Sequence, residues 1–218
     1  MSPLERFLNP SSVSLKICGV TTRDDAERLV ACGVDALGVN FWPQSKRHLA
    51  PRNATWLAGL AGSILRVGVF VNEAPELPLQ LIREGLLDVV QVHGDETPED
   101  TAIYQENGVS FFKGIGVKTI ADLDRAAEFG ANAILLDAHA PGVYGGTGET
   151  FDWNAALDFK SRHPSIPLIL AGGITPQNAA LAAATVRPAA LDVASGAEIS
   201  PGIKDFDKVS ALLAALHR

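Results

Sequence analysis

The chain has 218 residues, is 47% hydrophobic and 20% charged, and carries a net charge of -7. That length buries enough surface to fold without disulfides or a structural metal, and the acidic balance argues against nucleic acid or an anionic membrane as a partner, since both select a basic face. Cys18 and Cys32 fit neither a disulfide framework nor a zinc spacing, and with no apolar signal segment at the start and no run of about 18 apolar residues a cytoplasmic protein is expected.

Short, nearly continuous apolar runs at residues 13–17, 36–41, 64–71, 89–92, 110–116, 133–136, 167–171 and 190–193 predict eight strands. Strands of a parallel sheet read this way when both faces are buried. Their centres lie roughly 20 to 35 residues apart, room for one strand and one crossover helix each. Between them, Ala26, Leu29, Val30 and Gly33 keep the i, i+3, i+4, i+7 spacing of a helix face. Thr97–Pro98 and Thr175–Pro176 each set a capping hydroxyl before a proline at the first helical position. Gly33, Gly85, Gly108 and Gly130 each stand just before a strand, where a left-handed residue ends a helix. The alanine-rich stretch 179–197 suits a tightly packed helix and then a short strand. Eight strands, each leading to a helix, predict an α/β fold with a single (β/α)8 TIM barrel over residues 1–218, in preference to an open doubly wound sheet.

In such a barrel the chemistry sits at the C-terminal ends of the strands. Cys18 stands at the end of the first, near Lys16 and before Thr21 and Thr22, either of which can cap the next helix. A thiol beside a lysine and a helix N-terminus is suited to a depressed pKa and a role as base or nucleophile; the alternative is a small buried hydrophobe. Cys32, on the apolar helix, reads as structural. After the second strand, Arg47 lies in a loop with Phe41 and Trp42, either a site for a planar anion or a solvated basic loop. His93 ends the fourth strand, as an acid, base or donor, or as an orienting group. No second histidine or cysteine has metal-ligand spacing with it, so no metal is expected. Asp137 follows four apolar residues in the sixth strand. Burial there suits a carboxyl kept protonated as a general acid, and a cap for the next segment is the alternative.

Residues 141–149 contain Gly142, Gly145, Gly146 and Gly148, giving either a loop whose amides approach an anion or a tight turn. The sharper signal is Gly172-Gly173 after the seventh strand and Ser195-Gly196 after the eighth. Bare amides and one hydroxyl at those two positions are what a phosphate needs.

Lys16-Ile17-Cys18-Gly19-Val20-Thr21, Ser45-Lys46-Arg47, Gln91-Val92-His93-Gly94, Leu136-Asp137, Gly145-Gly146-Thr147-Gly148, Leu170-Ala171-Gly172-Gly173-Ile174 and Pro201-Gly202-Ile203-Lys204-Asp205 stand in order along the chain. Together they resemble the phosphoribosylanthranilate isomerases of tryptophan biosynthesis, over residues 16–205. The resemblance implies an Amadori rearrangement of N-(5-phosphoribosyl)anthranilate to 1-(2-carboxyphenylamino)-1-deoxyribulose 5-phosphate, with no metal and no cofactor. It implies Cys18 as general base and Asp137 as general acid. It puts Arg47 on the anthranilate carboxylate, Gly172, Gly173, Ser195 and Gly196 on the phosphate, Gly146 and Gly148 in a closing lid, and His93 among the substrate-binding residues. The partner is then a small molecule, and the assembly a monomer or homodimer. Two positions depart from the usual pattern: Ser45-Lys46-Arg47 lacks the central proline of Ser-Pro-Arg, and Ala194-Ser195-Gly196-Ala197-Glu198 has one hydroxyl fewer than Ser-Ser-Gly-Val-Glu.

Other phosphosugar barrels are the alternatives. An epimerase requires metal-binding histidines at strand ends, which are not found. Indole-glycerol-phosphate synthase requires a lysine with a glutamate partner; Lys113 is expected to face the mouth, with no glutamate at a strand end to match it. A non-catalytic sugar-phosphate-binding barrel would keep the phosphate turns and lose the acid or base.

Overall fold

The eight apolar runs each become a strand, and the strands close on one another in sequence order. The computed structural model describes residues 1–9, 11–117, 120–138 and 153–216. The parallel strands are β1 (Ser14–Cys18), β2 (Ala36–Asn40), β3 (Leu65–Phe70), β4 (Val89–Val92), β5 (Phe111–Val117), β6 (Ala133–Ala138), β7 (Leu168–Leu170) and β8 (Ala190–Val193). The barrel closes where β8 pairs with β1, from Ser14 opposite Ala190 to Ile17 opposite Val193. The helices are α1 (Pro3–Leu8), α2 (Arg23–Cys32), α3 (Glu76–Arg83), α4 (Pro98–Glu106), α5 (Ile120–Ala126), α6 (Trp153–Arg162), α7 (Ala179–Val186) and α8 (Phe206–Ala215). An antiparallel hairpin, β9 (Glu198–Ser200) and β10 (Ile203–Lys204), precedes α8. No described helix is long and apolar enough to cross a membrane.

Local chemistry explains most boundaries. The Thr97 hydroxyl accepts from the Asp100 amide, and the Thr97 amide donates in return to the Asp100 carboxylate, a capping box that starts α4. Gly33, Gly85, Gly108 and Gly130 all take positive φ at helix ends, as their positions in the sequence predict. Two expectations fail. Pro176 does not open a helix: the Thr175 carbonyl accepts from the Asn178 and Ala179 amides in a turn, and α7 begins only at Ala179. After β2 the link is not an α-helix but two 3₁₀ segments, Pro51–Asn53 and Thr55–Leu60. Pro51 opens the first segment, and Gly59 and Gly62 lie at the end of the second, where they weaken any longer helix.

Strand alternation divides the core in two. Outward-facing Leu15, Ile17, Leu37, Val39, Val90, Val92, Ile134, Leu136, Leu170, Leu191 and Val193 pack with Leu29, Leu57, Phe159 and Val209 from the surrounding layer. Inward-facing Ala36, Leu65, Val67, Val89, Phe112, Ala133, Leu135, Ile169 and Ala190 fill the interior together with Phe7. Helix α1, for which the sequence reading has no counterpart, supplies that plug. Ser2, Pro3 and Glu5 give it a capping box and a proline in its first turn. Phe7 stacks on Phe112 with ring centroids 6.1 Å apart and closes the barrel at its N-terminal end. Phe7→Ala removes that plug, and a cost of about 3 kcal/mol is expected, read as a lower urea midpoint. An unchanged midpoint would mean that α1 adds nothing to barrel stability.

Candidate active site

Toward the C-terminal ends of the strands the inward positions turn polar, and there they form a cleft. Its lining includes Cys18, Asn40, Ser45, Arg47, Gln91, His93, Asp137, Gly172, Gly173, Asp192 and Ser195. Strands β1, β2, β4, β6 and β8 and the turns after β7 and β8 each contribute, so the site exists only when the barrel is closed.

Cys18 is half-buried at the end of β1. Thr22, rather than Thr21, caps α2 by accepting from the Asp25 amide, while the Thr21 hydroxyl donates to the Gly202 carbonyl at 2.8 Å. Beneath the thiol lies Lys16, fully buried, whose Nζ donates to both carboxylate oxygens of Asp192 at 2.9 Å. Burial lowers the Lys16 pKa, but Asp192 and Cys18 outweigh it and hold the ammonium above its usual range. For Cys18 itself, burial pushes the thiol up, Lys16 and Lys204 pull it down, and Asp192 pushes it up again; the net direction is upward. The depressed pKa expected from sequence is therefore not found, because desolvation of the thiolate exceeds the stabilisation from its cationic neighbours.

Arg47 is tied to Glu198 by Nε at 2.9 and 3.0 Å and by Nη2 at 2.6 Å. Glu198 also accepts from Lys204 Nζ at 2.7 Å and from the Gly202 amide at 3.1 Å, and Lys204 Nζ donates in turn to the Cys18 carbonyl at 2.6 Å. Burial alone would raise the Glu198 carboxyl, but its bonds to Arg47 and Lys204 hold it below the usual carboxylate range. Arg47 Nη1 has no partner among the described residues and remains available within a guanidinium whose plane is already fixed.

His93 packs at the end of β4, its Nδ1 2.9 Å from Gln91 Nε2 and its Nε2 3.6 Å from Asp137 Oδ2. The second distance is longer than a direct hydrogen bond. Asp137, buried on β6, faces the same cleft. On the rim, Gly172 and Gly173 take φ of 83° and 66°, a left-handed path that a side chain would strain. Asn178 staples this turn, donating to the Gly173 carbonyl at 2.9 Å and accepting from the Thr175 amide at 2.8 Å.

The structure thus brings Cys18, Arg47, His93, Asp137, Gly172, Gly173 and Ser195 to one cleft. Gly196 is not part of its lining. A Cβ there would stand 2.0 Å from the Ile174 carbonyl oxygen, so this glycine lets the β7 and β8 turns touch. Gly146 and Gly148 lie outside the described residues. Cys32 is exposed. Lys113 is a correction: it shares the outward face of β5 with Phe111, and its Nζ donates to Glu96 at 2.6 Å and to the Gly94 carbonyl at 2.8 Å, away from the cleft. A glutamate partner exists after all, but the pair does not line the cleft, which removes the basis for the synthase alternative. Among the described residues no group of three or more His, Cys, Asp or Glu side chains is placed to hold a metal ion.

Sequence reasoning set Lys16 beside Cys18 without seeing its partner, and gave no site role to Asn40, Gln91, Asp192, Glu198 or Lys204. Parity carries the signal for four of them: Lys16 shares the inward face of Cys18, Gln91 that of His93, and Asn40 and Asp192 those of Ala36 and Ala190.

The family model of N-(5'-phosphoribosyl)anthranilate (PRA) isomerase matches residues 15–215. An N-(5'-phosphoribosyl)anthranilate isomerase of Trichlorobacter lovleyi is 43% identical over 198 residues, covering 90% of this chain and 94% of that one. The crystal structure of the Thermotoga maritima phosphoribosylanthranilate isomerase superposes with a TM-score of 0.85 at 40% identity, covering 94% of this chain and 98% of that one. A further structure of such an isomerase, in complex with reduced 1-(o-carboxyphenylamino)-1-deoxyribulose 5-phosphate, superposes with a TM-score of 0.82 at 37% identity and the same coverage. A closed eight-stranded barrel, a polar cleft at its C-terminal end and this agreement over nearly the whole length place the chain in the N-(5'-phosphoribosyl)anthranilate isomerase family.

Proposed function

We propose that this chain isomerises N-(5'-phosphoribosyl)anthranilate to 1-(2-carboxyphenylamino)-1-deoxyribulose 5-phosphate in tryptophan biosynthesis, with Asp137 as general acid and Cys18 as general base. The observation that carries the assignment is that β1 and β6, on different arcs of the barrel, aim Cys18 and Asp137 into one cleft whose rim holds Arg47 and the glycine turns. The substrate has an anion at each end, and the cleft has a recognition element for each. The amides of Gly172 and Gly173 and the Ser195 hydroxyl suit the phosphate. The open Nη1 edge of Arg47 suits the anthranilate carboxylate. Held at both ends, the ribose lies between acid and base, and much of the acceleration comes from that placement.

Asp137 donates its proton to the furanose ring oxygen. The bond from C1′ to that oxygen breaks as the anthranilate nitrogen lone pair forms a C=N bond, giving the open Schiff base. Cys18, as thiolate, then removes the proton from C2′. The released electron pair forms the C1′–C2′ double bond and neutralises the iminium nitrogen, and the resulting enolamine tautomerises to the ketone. One carboxylic acid and one thiolate suffice, each placed on a different atom of the same sugar. His93, 3.6 Å from Asp137, lines the same side of the cleft and serves substrate binding and orientation. The unit at work is one barrel over residues 1–218, as monomer or homodimer.

The test is loss of anthranilate-type fluorescence when purified protein meets phosphoribosylanthranilate made in situ. Cys18→Ser and Asp137→Asn should each lose at least about a hundredfold in rate, as general acid–base groups do. Binding without turnover by the wild type would replace the isomerase with a sugar-phosphate sensor; near-full rate in either variant would sink that residue's role. The pH profile is a separate check. The base works deprotonated, and its thiol lies above the ordinary range in the free protein. The rising limb of kcat/KM should therefore have its midpoint above the ordinary thiol value of about 8.5. A profile flat from neutral pH upward would contradict Cys18 as that group.

A further inference from the structure

Burial opposes a thiolate at Cys18, yet proton abstraction from C2′ needs one, so a neighbouring group has to stabilise that charge. Lys16 is two residues earlier on β1, on the same inward face, with 0% of its surface exposed. Its Nζ donates to Asp192 Oδ1 and Oδ2 at 2.9 Å each. Asp192 is the register partner of Lys16 in the β1–β8 ladder, so the backbone itself sets this clamp. An ammonium carries three N–H donors, and two are committed to the carboxylate. The Cys18 thiol, two residues on along the same inward face, interacts with that ammonium, and each bears on the charge of the other. Both flank Gly38, the β2 register partner of Cys18: a Cβ there would stand 2.8 Å from Sγ and 3.1 Å from Nζ.

We propose that Lys16 is a positioning residue of the isomerisation: its ammonium, clamped on both oxygens of Asp192, holds the Cys18 thiolate at the floor of the cleft for proton abstraction. The inference rests on the reading of Cys18 as the base. Four charged groups bear on the sulfur. Lys204, from β10, spends its Nζ on Glu198 and on the Cys18 carbonyl oxygen rather than on sulfur. Arg47, from the loop after β2, is turned toward Glu198. Asp192, from β8, repels the thiolate and so reduces the benefit of its own partner, while keeping Lys16 charged in a site that would otherwise neutralise it. Of these cations Lys16 acts most strongly on the sulfur, ahead of Lys204.

The experiment uses the full chain carrying Cys32→Ser, which removes the exposed second thiol, and follows alkylation of Cys18 by iodoacetamide against pH, read by mass. In this background Lys16→Met should move the alkylation midpoint upward by about one pH unit or more, since an opposite charge at this range is worth that much. In the isomerase assay kcat at neutral pH should fall about tenfold and recover as pH rises, in step with that midpoint, while KM stays nearly constant. Lys16→Met orphans the Asp192 carboxylate, so the neutral pair Lys16→Met with Asp192→Asn keeps the measurement possible if the single variant does not fold. It should show a smaller shift in the same direction, because a repelling charge is removed with the attracting one. An unchanged alkylation midpoint in the variant that folds overturns the proposal, whatever the rate does. Failure of the base reading is separate: Cys18→Ser would then keep its rate, while the alkylation midpoint would still report whether Lys16 governs the thiol.

Discussion

A (β/α)8 barrel depends on the seam where its last strand meets its first, and in this chain that seam carries a buried ion pair. Lys16 and Asp192 stand opposite one another in the β1–β8 ladder, with 0% and 8% of their side chains exposed. Taking two charges out of water costs several kcal/mol per ion, and their mutual attraction repays this only when the geometry is good. Here an ammonium meets both oxygens of one carboxylate, which is such a geometry. A shift of one residue in the seam would turn one partner outward against the helices and leave the other buried alone, at a cost of about 3–5 kcal/mol. The pair is thus better understood as fixing the register of closure than as adding stability.

Register matters because it decides where polarity falls along each strand. The same alternation that buries Ala36, Leu65, Phe112 and Ala190 deep in the barrel presents Lys16, Asn40, Asp137 and Asp192 nearer the C-terminal ends. The interior is therefore a dry plug below and a polar cleft above, with Phe7 sealing the plug from beneath. Stability resides mainly in the lower half and in the strand–helix layer. The upper half can keep a half-buried thiol and a buried carboxyl, groups that no packing argument would choose.

This division also governs what could be learned from the sequence. The strands were legible because runs buried on both faces leave a continuous apolar signature, and the left-handed glycines marked the helix ends. Cys18, Arg47, His93, Asp137 and the glycine turns were legible because each stands at a strand end or in the loop after one. Glu198 and Lys204 were not, since they sit on a short hairpin past the last barrel strand, and their partners Arg47 and Cys18 are more than 150 residues away in the chain. The direction of the Cys18 pKa was misjudged for a related reason. The sequence shows the lysine beside the thiol, but the desolvation that outweighs it comes from the closed barrel. Lys113 was misplaced by a parity error of one residue, which on a strand exchanges the inner face for the outer.

The loop that carries Arg47 shows how a departure from the family pattern can be absorbed. A proline between Ser45 and Arg47 would limit the backbone by fixing φ at one residue; with Lys46 there, hydrogen bonds limit it instead. The Trp42 amide donates to Asn40 Oδ1 at 2.9 Å, the Arg47 amide to Ser45 Oγ at 3.1 Å, and the Ser45 and His48 amides to the Trp42 and Ser45 carbonyls. Beyond the backbone, Glu198 fixes the guanidinium itself, and Lys204 links Glu198 to the Cys18 carbonyl. The ordering entropy of a long cationic side chain is thereby met during folding, and the carboxylate of the proposed substrate would have only to meet the remaining edge. One buried carboxylate consequently joins Arg47, through Lys204, to the backbone of Cys18, so that the proposed carboxylate-binding residue and the proposed base are held by a single connected network rather than by two independent loops.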